Sequence, residues 1–499
     1  MRTLLCCAAL IASLAAASPA AALLLTVNSA ADPGDGVCNP AQCTLREALS
    51  TPLPPDDFSI TIVFAIPGAG PHVIALGSVL PTIDRDIRID GFTQPGSTPP
   101  DLNTGFGYAP QIELDGAAIP DGGEVHGLRL APQNFANPTV TGLAFGNFSR
   151  PAGDGAAIRI DGAAVNIGGA RVEANFIGMS ASGAQARPND IGIRVTAAED
   201  STIVGNVIAG NRVGILGNGR GDQFGMRIAG NRIGTTPDGN GALPNTEDGI
   251  RIVSGCAAPA TEFSISGNLI AGNTRDGVHL VGESAACNLL TGDFPQIVAN
   301  RIGRAANGAA LGNGRHGLLV GLLATRTLTV GSPLDSDFPE DENTIASSGG
   351  AGIAVLDGAG GVLIRQNTFV DNTGLPIDLG NDGATTNDPG DADTGANRKL
   401  NTPALSAARS VGGETTLRYR VAADAAHASY PLRVDFYRVS DGSAVYVDTD
   451  FYDVPNAQKS ISLPIQPQFD IVAMASDADG NSSEFSRAAR RVLFADGFD

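Results

Sequence analysis

Two short stretches of this sequence place the same chemistry at the same spacing. Asp248 and Asp276 each precede a glycine, and Arg251 and His279 each follow their aspartate by three residues. Carboxylates beside a base suit proton removal from an acidic polysaccharide. Calcium would bridge substrate carboxylates to the aspartates, and Arg, Lys or His would take the proton. Arg194 occupies the same place in an earlier stretch. If the flanking Ile and Val face inward on a strand, Arg194, Arg251 and His279 face outward. The alternative is an ordinary solvated sheet face, where charges are expected. Further ligand-contact candidates are Arg187, Glu247 and Arg315, which lie with Asn240 and Asn307 in three long insertions. A second group, Asp382, Asp388, Asp391 and Asp393, follows Asp378 in a stretch without a cation. Such carboxylates repel one another unless a hard cation sits among them, and calcium fits oxygen-only ligands; the alternative is a flexible acidic linker. Asp477, Asp479, Asn481 and Glu484 form a weaker cluster before the end of the chain.

Other chemistries find little support. The five histidines are dispersed, and no nucleophile stands beside a base. Asn245-Thr246-Glu247-Asp248 and Gly314-Arg315-His316-Gly317 resemble two polygalacturonase motifs superficially. Asp248 and His316 hold the same turn position as Asp276, however, and no paired acid-and-base carboxylates follow. Sugar stacking is poorly served, since Trp is absent and aromatics make up 5% of the chain. A net charge of −20 with only two lysines, Lys399 and Lys459, argues against nucleic acid. Nothing calls for an organic cofactor.

These residues sit in a repeat. From about residue 150 to 372 two beats alternate. One is a polar residue, Gly and alternating apolar residues, as in Asp248-Gly249-Ile250-Arg251-Ile252. The other is Ile-x-Gly-Asn-x-Ile, as in Ile203-Val204-Gly205-Asn206-Val207-Ile208. Both alternate with period two and read as short strands. Gly192 to Gly214, 22 residues apart, encloses three strand signals, which is one coil of a β-helix. Asn175, Asn206, Asn231, Asn268, Asn300, Asn343 and Asn367 recur as a column, expected to be an internal ladder between coils. The insertions at 179–189, 235–247 and 304–315 leave the same corner of alternate coils and place a binding face there. At about 4.8 Å per coil they should stand about 9 to 10 Å apart or more.

The ends differ from the repeat. Residues 1–22 read as a secretory signal: Arg2, an apolar stretch from Leu4 to Leu14, and Ala20-Ala21-Ala22. No transmembrane run of roughly 20 apolar residues follows. Four cysteines remain in the mature chain, and disulfides Cys38–Cys43 and Cys256–Cys287 are expected, the latter between neighbouring coils. Thr44-Leu45-Arg46-Glu47 is a capping box that predicts a short helix from Cys43, covering the open end of the coil. The fold class is therefore all-β: a right-handed parallel β-helix with an N-terminal capping helix, then an immunoglobulin-like β-sandwich built from short strands beyond Leu400. The expected divisions are 1–22 signal, 23–100 cap and first coils, 101–377 β-helix, 378–400 Asp-rich junction, 401–492 sandwich and 493–499 tail.

Cys43-Thr44-Leu45-Arg46-Glu47-Ala48 resembles the Cys-Ser-Leu-Arg-Glu-Ala motif of a family of secreted bacterial β-helix proteins, with Thr for Ser. Val63-Phe64-Ala65-Ile66-Pro67-Gly68, Ile89-Asp90-Gly91-Phe92-Thr93-Gln94-Pro95-Gly96, Ile233-Gly234-Thr235 and the Asp477 to Ser486 segment are also similar to that family. The resemblance implies a pectin-lyase-like β-helix and no uniform catalytic assignment. The expectation is an exported protein, extracellular or on the outer surface of a bacterium. It would be a noncatalytic adhesion, matrix or glycan-contact protein whose partner is a polysaccharide or a cell-surface component. The alternative is a calcium-dependent polysaccharide lyase.

Overall fold

The computed structural model describes residues 23–489 apart from 53–58, 134, 162–167, 219–223, 257–262, 285, 288, 291–294, 333–340, 407, 412 and 467. The expected signal (1–22) and tail (493–499) lie outside these residues. The chain winds into three parallel sheets, here called A, B and C, that enclose one apolar core. Sheet A begins with Leu23–Val27 against Ile60–Phe64 and ends at Gly360–Arg365. Sheet B runs from His72–Ala75 to Thr368–Val370. Sheet C runs from His126–Leu130 to Ile377–Leu379. Successive coils return parallel to the same sheet, the crossover that is right-handed in nearly all proteins.

Coils stack in register because apolar side chains must land above apolar side chains. In sheet C, Ile158, Ile193, Ile215, Ile250, Val278, Leu318, Ile353 and Ile377 form one buried column. Each such side chain contributes roughly 1.5 to 3 kcal/mol by leaving water. The 22-residue coil is present, with Ile191 opposite Val213. The Ile-x-Gly-Asn-x-Ile beat, however, is two strands rather than one. Ile191–Val204 ends in sheet A and Val207–Ile208 opens sheet B, with the corner made by Gly205 at φ 65° and buried Asn206. A left-handed φ turns the chain within two residues, which an alternating strand cannot do.

The asparagine column is the ladder its spacing predicts. Nδ2 of Asn206 donates to Asn231 Oδ1 at 3.0 Å and to the Val172 carbonyl at 2.9 Å, and the pattern continues from Asn175 through Asn367. At the corner leading into sheet C lies a second ladder with no counterpart in the sequence reading: Asn189, Asn211, Asn245, Asn273 and Asn313, each bonded to the next at 2.8 to 3.0 Å.

Both ends are covered. The helix Leu45–Ser50 is capped by Thr44 and buries Leu45, Ala48 and Leu49 in the first coils. Glu47 accepts from the amides of Thr44 and Gly36, each at 2.7 Å. Arg46 pairs with Asp32 at 2.6 Å and donates to the Ser78 and Val79 carbonyls. At the other end each sheet meets a different stop. Gly361, Val362 and Ile364 amides of sheet A donate to Asn481, Asn397 and Ser482. Thr368–Val370 of sheet B pairs antiparallel with Ser443–Tyr452. The Leu379 amide of sheet C donates to Glu484 at 2.9 Å. The Asp477 to Ser486 segment is thus an edge cap that satisfies strand amides otherwise open to polymerisation.

The C-terminal unit is an antiparallel sandwich. One sheet joins Ala404–Leu405, Arg409–Val411, Glu414–Arg420 and Lys459–Leu463, and the other joins Leu432–Ser440, Ser443–Tyr452 and Asp470–Ser476. Through Ser443–Tyr452 the second sheet continues sheet B, so Tyr437 and Met474 belong to the β-helix core while Phe436 belongs to the sandwich core. Both expected disulfides are present, Cys38–Cys43 and Cys256–Cys287. No helix among the described residues is long and apolar enough to cross a membrane.

Candidate functional site

Register in sheet C brings Arg129, Arg159, Arg194, Leu216, Arg251 and His279 into one outward column, on successive rungs about 4.8 Å apart. The second asparagine ladder fixes the corner beside it, because Asn245, Asn273 and Asn313 stand three residues before Asp248, Asp276 and His316. This Asn-x-x-Asp/His-Gly spacing was the available signal for that ladder.

At this corner the four residues of the two matched stretches come together. Asp248 is buried and accepts from Arg251 Nε at 2.6 Å and His279 Nδ1 at 2.9 Å. Burial by itself would raise the Asp248 carboxyl, but the His279 hydrogen bond and the Arg251 charge hold it down at about 2. A carboxylate only accepts, so His279 Nδ1 carries the proton, and in the neutral ring Nε2 is then the acceptor. Asp276 is equally buried and accepts from Arg315 Nε at 3.1 Å and Nη2 at 2.7 Å. Arg251 also reaches Glu247 at 2.6 Å, and Glu247 meets Arg212 at 3.3 Å. Although Asp248, Asp276 and His279 offer ligand atoms within 4.8 Å of one another, Arg251 and Arg315 already neutralise both carboxylates. The other arginines described there, Arg212 and Arg275, meet Glu247 at 3.3 and 3.6 Å.

Further down the column the balance changes. Arg129 and Arg159 share Asp161, at 2.6 and 2.7 Å, and Arg159 also pairs with Glu124. Thr196 adds a hydroxyl to Asp161. Arg194, on the next rung, is half-buried, makes no ion pair among the described residues, and has a buried Nε without a hydrogen-bond partner. Burial and the Arg159 charge lower its pKa, outweighing the more distant charges of Asp154, Asp161 and Glu124. Arg129, Arg159, Glu124 and Asp161 were not singled out in the sequence, although a signal was present: His126-Gly127-Leu128-Arg129-Leu130 carries the polar-Gly beat ahead of the stretch from about residue 150 where it was read.

The other candidates are used within the fold. Arg187 packs on nearly buried Glu113 at 3.3 Å, Glu247 serves Arg251, and Arg315 serves Asp276. The three long loops share one shape, closed by antiparallel bridges Met179 to Ala186, Thr235 to Ala242 and Arg304 to Ala310. Their stems leave sheet B on alternate rungs, two coil heights apart as expected, but the second and third loops close the gap farther out. The Ala306 amide donates to the Gly239 carbonyl at 2.9 Å and the Asn307 amide to Asn240 at 3.0 Å. Each loop leans on the next, because intervening coils without a loop would otherwise leave a groove of unpaired backbone.

In the Asp-rich junction, Asp388, Asp391 and Asp393 converge, whereas Asp382 turns away and lies 3.6 Å from Lys399. Two clefts of about 630 and 590 Å³ also lie near this junction, away from the sheet C column.

No family model matches the chain, and no curated protein matches it. Among solved structures it is similar to the periplasmic alginate epimerase AlgG, at 11% identity and a TM-score of 0.27 over 64% of this chain and 76% of that one. A double mutant of the same protein gives 12% and 0.31 over the same shares. At such scores the likeness carries no argument about activity, and the architecture rests on the strand pairings above.

Proposed function

We propose that this chain is an exported, noncatalytic β-helix protein that contacts acidic polysaccharide along the outward face of sheet C. One observation carries the reading: among the described residues Arg194 makes no ion pair and leaves a buried Nε without a hydrogen-bond partner, next to Arg159 in the basic column of an otherwise acidic chain. A carboxylated polymer laid along the column would supply that anion. Two disulfides support export, since such bonds persist in oxidising compartments. The Cys43 to Ala48 motif, with its helix, buried Glu47 and Arg46–Asp32 pair, supports placing the chain among secreted bacterial proteins with the Cys-Ser-Leu-Arg-Glu-Ala signature.

A second reading, lyase chemistry with His279 as base, is favoured by the Asp248 hydrogen bond that leaves Nε2 as acceptor. One experiment separates them. The mature protein, Arg194→Ala and His279→Ala are assayed for retention of a uronic-acid polymer and a neutral polymer, with ultraviolet absorbance of products read in parallel. Loss of a charge-assisted contact of about 1.5 to 3 kcal/mol weakens retention by roughly 10- to 100-fold. Binding is expected to fall in Arg194→Ala, survive in His279→Ala and weaken with salt. Retention by Arg194→Ala at wild-type strength removes this face as the site, and absorbing products that vanish in His279→Ala establish the lyase.

A further inference from the structure

From the geometry of the junction we infer that Asp388, Asp391 and Asp393 form a calcium site that fastens the loop after the last coil to the sandwich. One carboxylate oxygen from each residue lies within 4.8 Å of the others. Asp391 is 2% exposed, and its Oδ2, Asp388 Oδ1 and Asp393 Oδ1 are all buried without a hydrogen-bond partner. Three buried, unpartnered carboxylate oxygens are costly unless something positive lies among them.

The remaining oxygens explain why the group is held in place. Asp391 Oδ1 accepts from the Asn401 amide at 2.7 Å, and Asp388 Oδ2 accepts from the Ala392 amide at 2.9 Å. Asn401 in turn donates from Nδ2 to the Asp388 and Ala422 carbonyls. The backbone thus uses one oxygen of each of these two carboxylates and leaves the other toward the third aspartate. Among the described residues no arginine or lysine pairs with any of the three: Lys399 lies on Asp382, and His427 Nδ1 lies 3.0 Å from the Gly390 carbonyl.

The chemistry selects the ion. Three carboxylates with no nitrogen or sulfur donor suit a hard cation, and calcium takes six to eight oxygens in adaptable geometry, leaving room for carbonyls or water beside the three aspartates. The contrast with Asp248 and Asp276 is direct, because those carboxylates already hold arginines. Position gives the site its role: Gly390 accepts from the Asp424 amide, and Asn401 reaches Ala422, both in the sandwich.

The test uses the full mature chain stripped with chelator and then dialysed free of it. Titration calorimetry is run with calcium chloride and with magnesium chloride at equal ionic strength, alongside melting curves. Wild type and Asp382→Asn are expected to bind one calcium with micromolar to millimolar affinity and to melt roughly 3 °C higher when saturated. Asp391→Asn and Asp388→Asn, with unchanged circular dichroism, are expected to bind at least about tenfold more weakly and to lose the melting shift. Their metal-free forms should melt no lower than metal-free wild type, because the substitution relieves repulsion. Absence of calcium heat in wild type, an equal response to both ions, or full binding by Asp391→Asn overturns the assignment.

Discussion

Asp248→Asn removes one charge from the centre of the sheet C corner while keeping the size of the side chain. Holding the carboxyl at about 2 rather than its ordinary 3.8 corresponds to about 2 kcal/mol of stability. The partners give a similar figure. Two charge-assisted bonds are weakened, to Arg251 and His279, but Arg251 keeps Glu247 at 2.6 Å, so about 2 to 3 kcal/mol is lost rather than the full cost of stranding a buried charge. The sign of the pH dependence follows from the depressed pKa. The stabilisation is fully present above about pH 4 and is lost as pH falls through about 2, where Asp248 is protonated and resembles Asn. A solenoid opens in parts, so the sharper measure is hydrogen exchange at the amides of 249–252, compared between wild type and variant near pH 7 and near pH 2.5. The difference should be about 2 kcal/mol at the first and most of it should disappear at the second. An equal difference at both would show that packing of the side chain, not its charge, secures the corner.

Asn206→Ala leaves the Val172 carbonyl and the Asn175 and Asn231 side chains short of partners inside the ladder, and should cost roughly 2 to 4 kcal/mol in urea unfolding, with exchange fastest in the adjoining coils. Glu484→Ala exposes the Leu379 and Thr385 amides, and is expected to shift the protein toward concentration-dependent oligomers by size-exclusion chromatography while its β-structure by circular dichroism is retained. Replacing both Cys256 and Cys287 by Ser opens a loop of 31 residues and should lower stability by roughly 3 to 4 kcal/mol on the chain-entropy model, read by denaturant midpoint.

Much of the architecture was legible in the residues because a β-helix repeats its own chemistry. An asparagine buried at one corner of a coil needs another asparagine above it, so the ladder appears in the sequence as a recurring letter. The polar-Gly beat marked sheet C for the same reason, and it brought Asp248, Arg251, Asp276 and His279 to one corner as their matched spacing implied. The capping helix was visible because a capping box is a local hydrogen-bond pattern. The cysteine pairing followed from two cysteines placed similarly on neighbouring coils.

What the sequence alone determined, then, is whatever depends on local backbone preference or on one column repeating itself: strands, corners, the asparagine ladder, the helix cap and the disulfides. Tertiary structure decided which charges are spent. Arg315 is 39 residues from Asp276, and Asp161 is 32 from Arg129, separations that unequal insertions hide from any fixed period. Only the stacked register reveals that Arg251 and Arg315 are committed while Arg194 makes no ion pair among the described residues, and that Asp382 leaves the group its three neighbours complete. The end cap lies further still from local pattern, since Asn481 meets Gly361 across 120 residues. Electrostatic pairing and edge satisfaction act between groups that are close in space, and in a solenoid the chain reaches those neighbours only after a full turn whose length its loops are free to change.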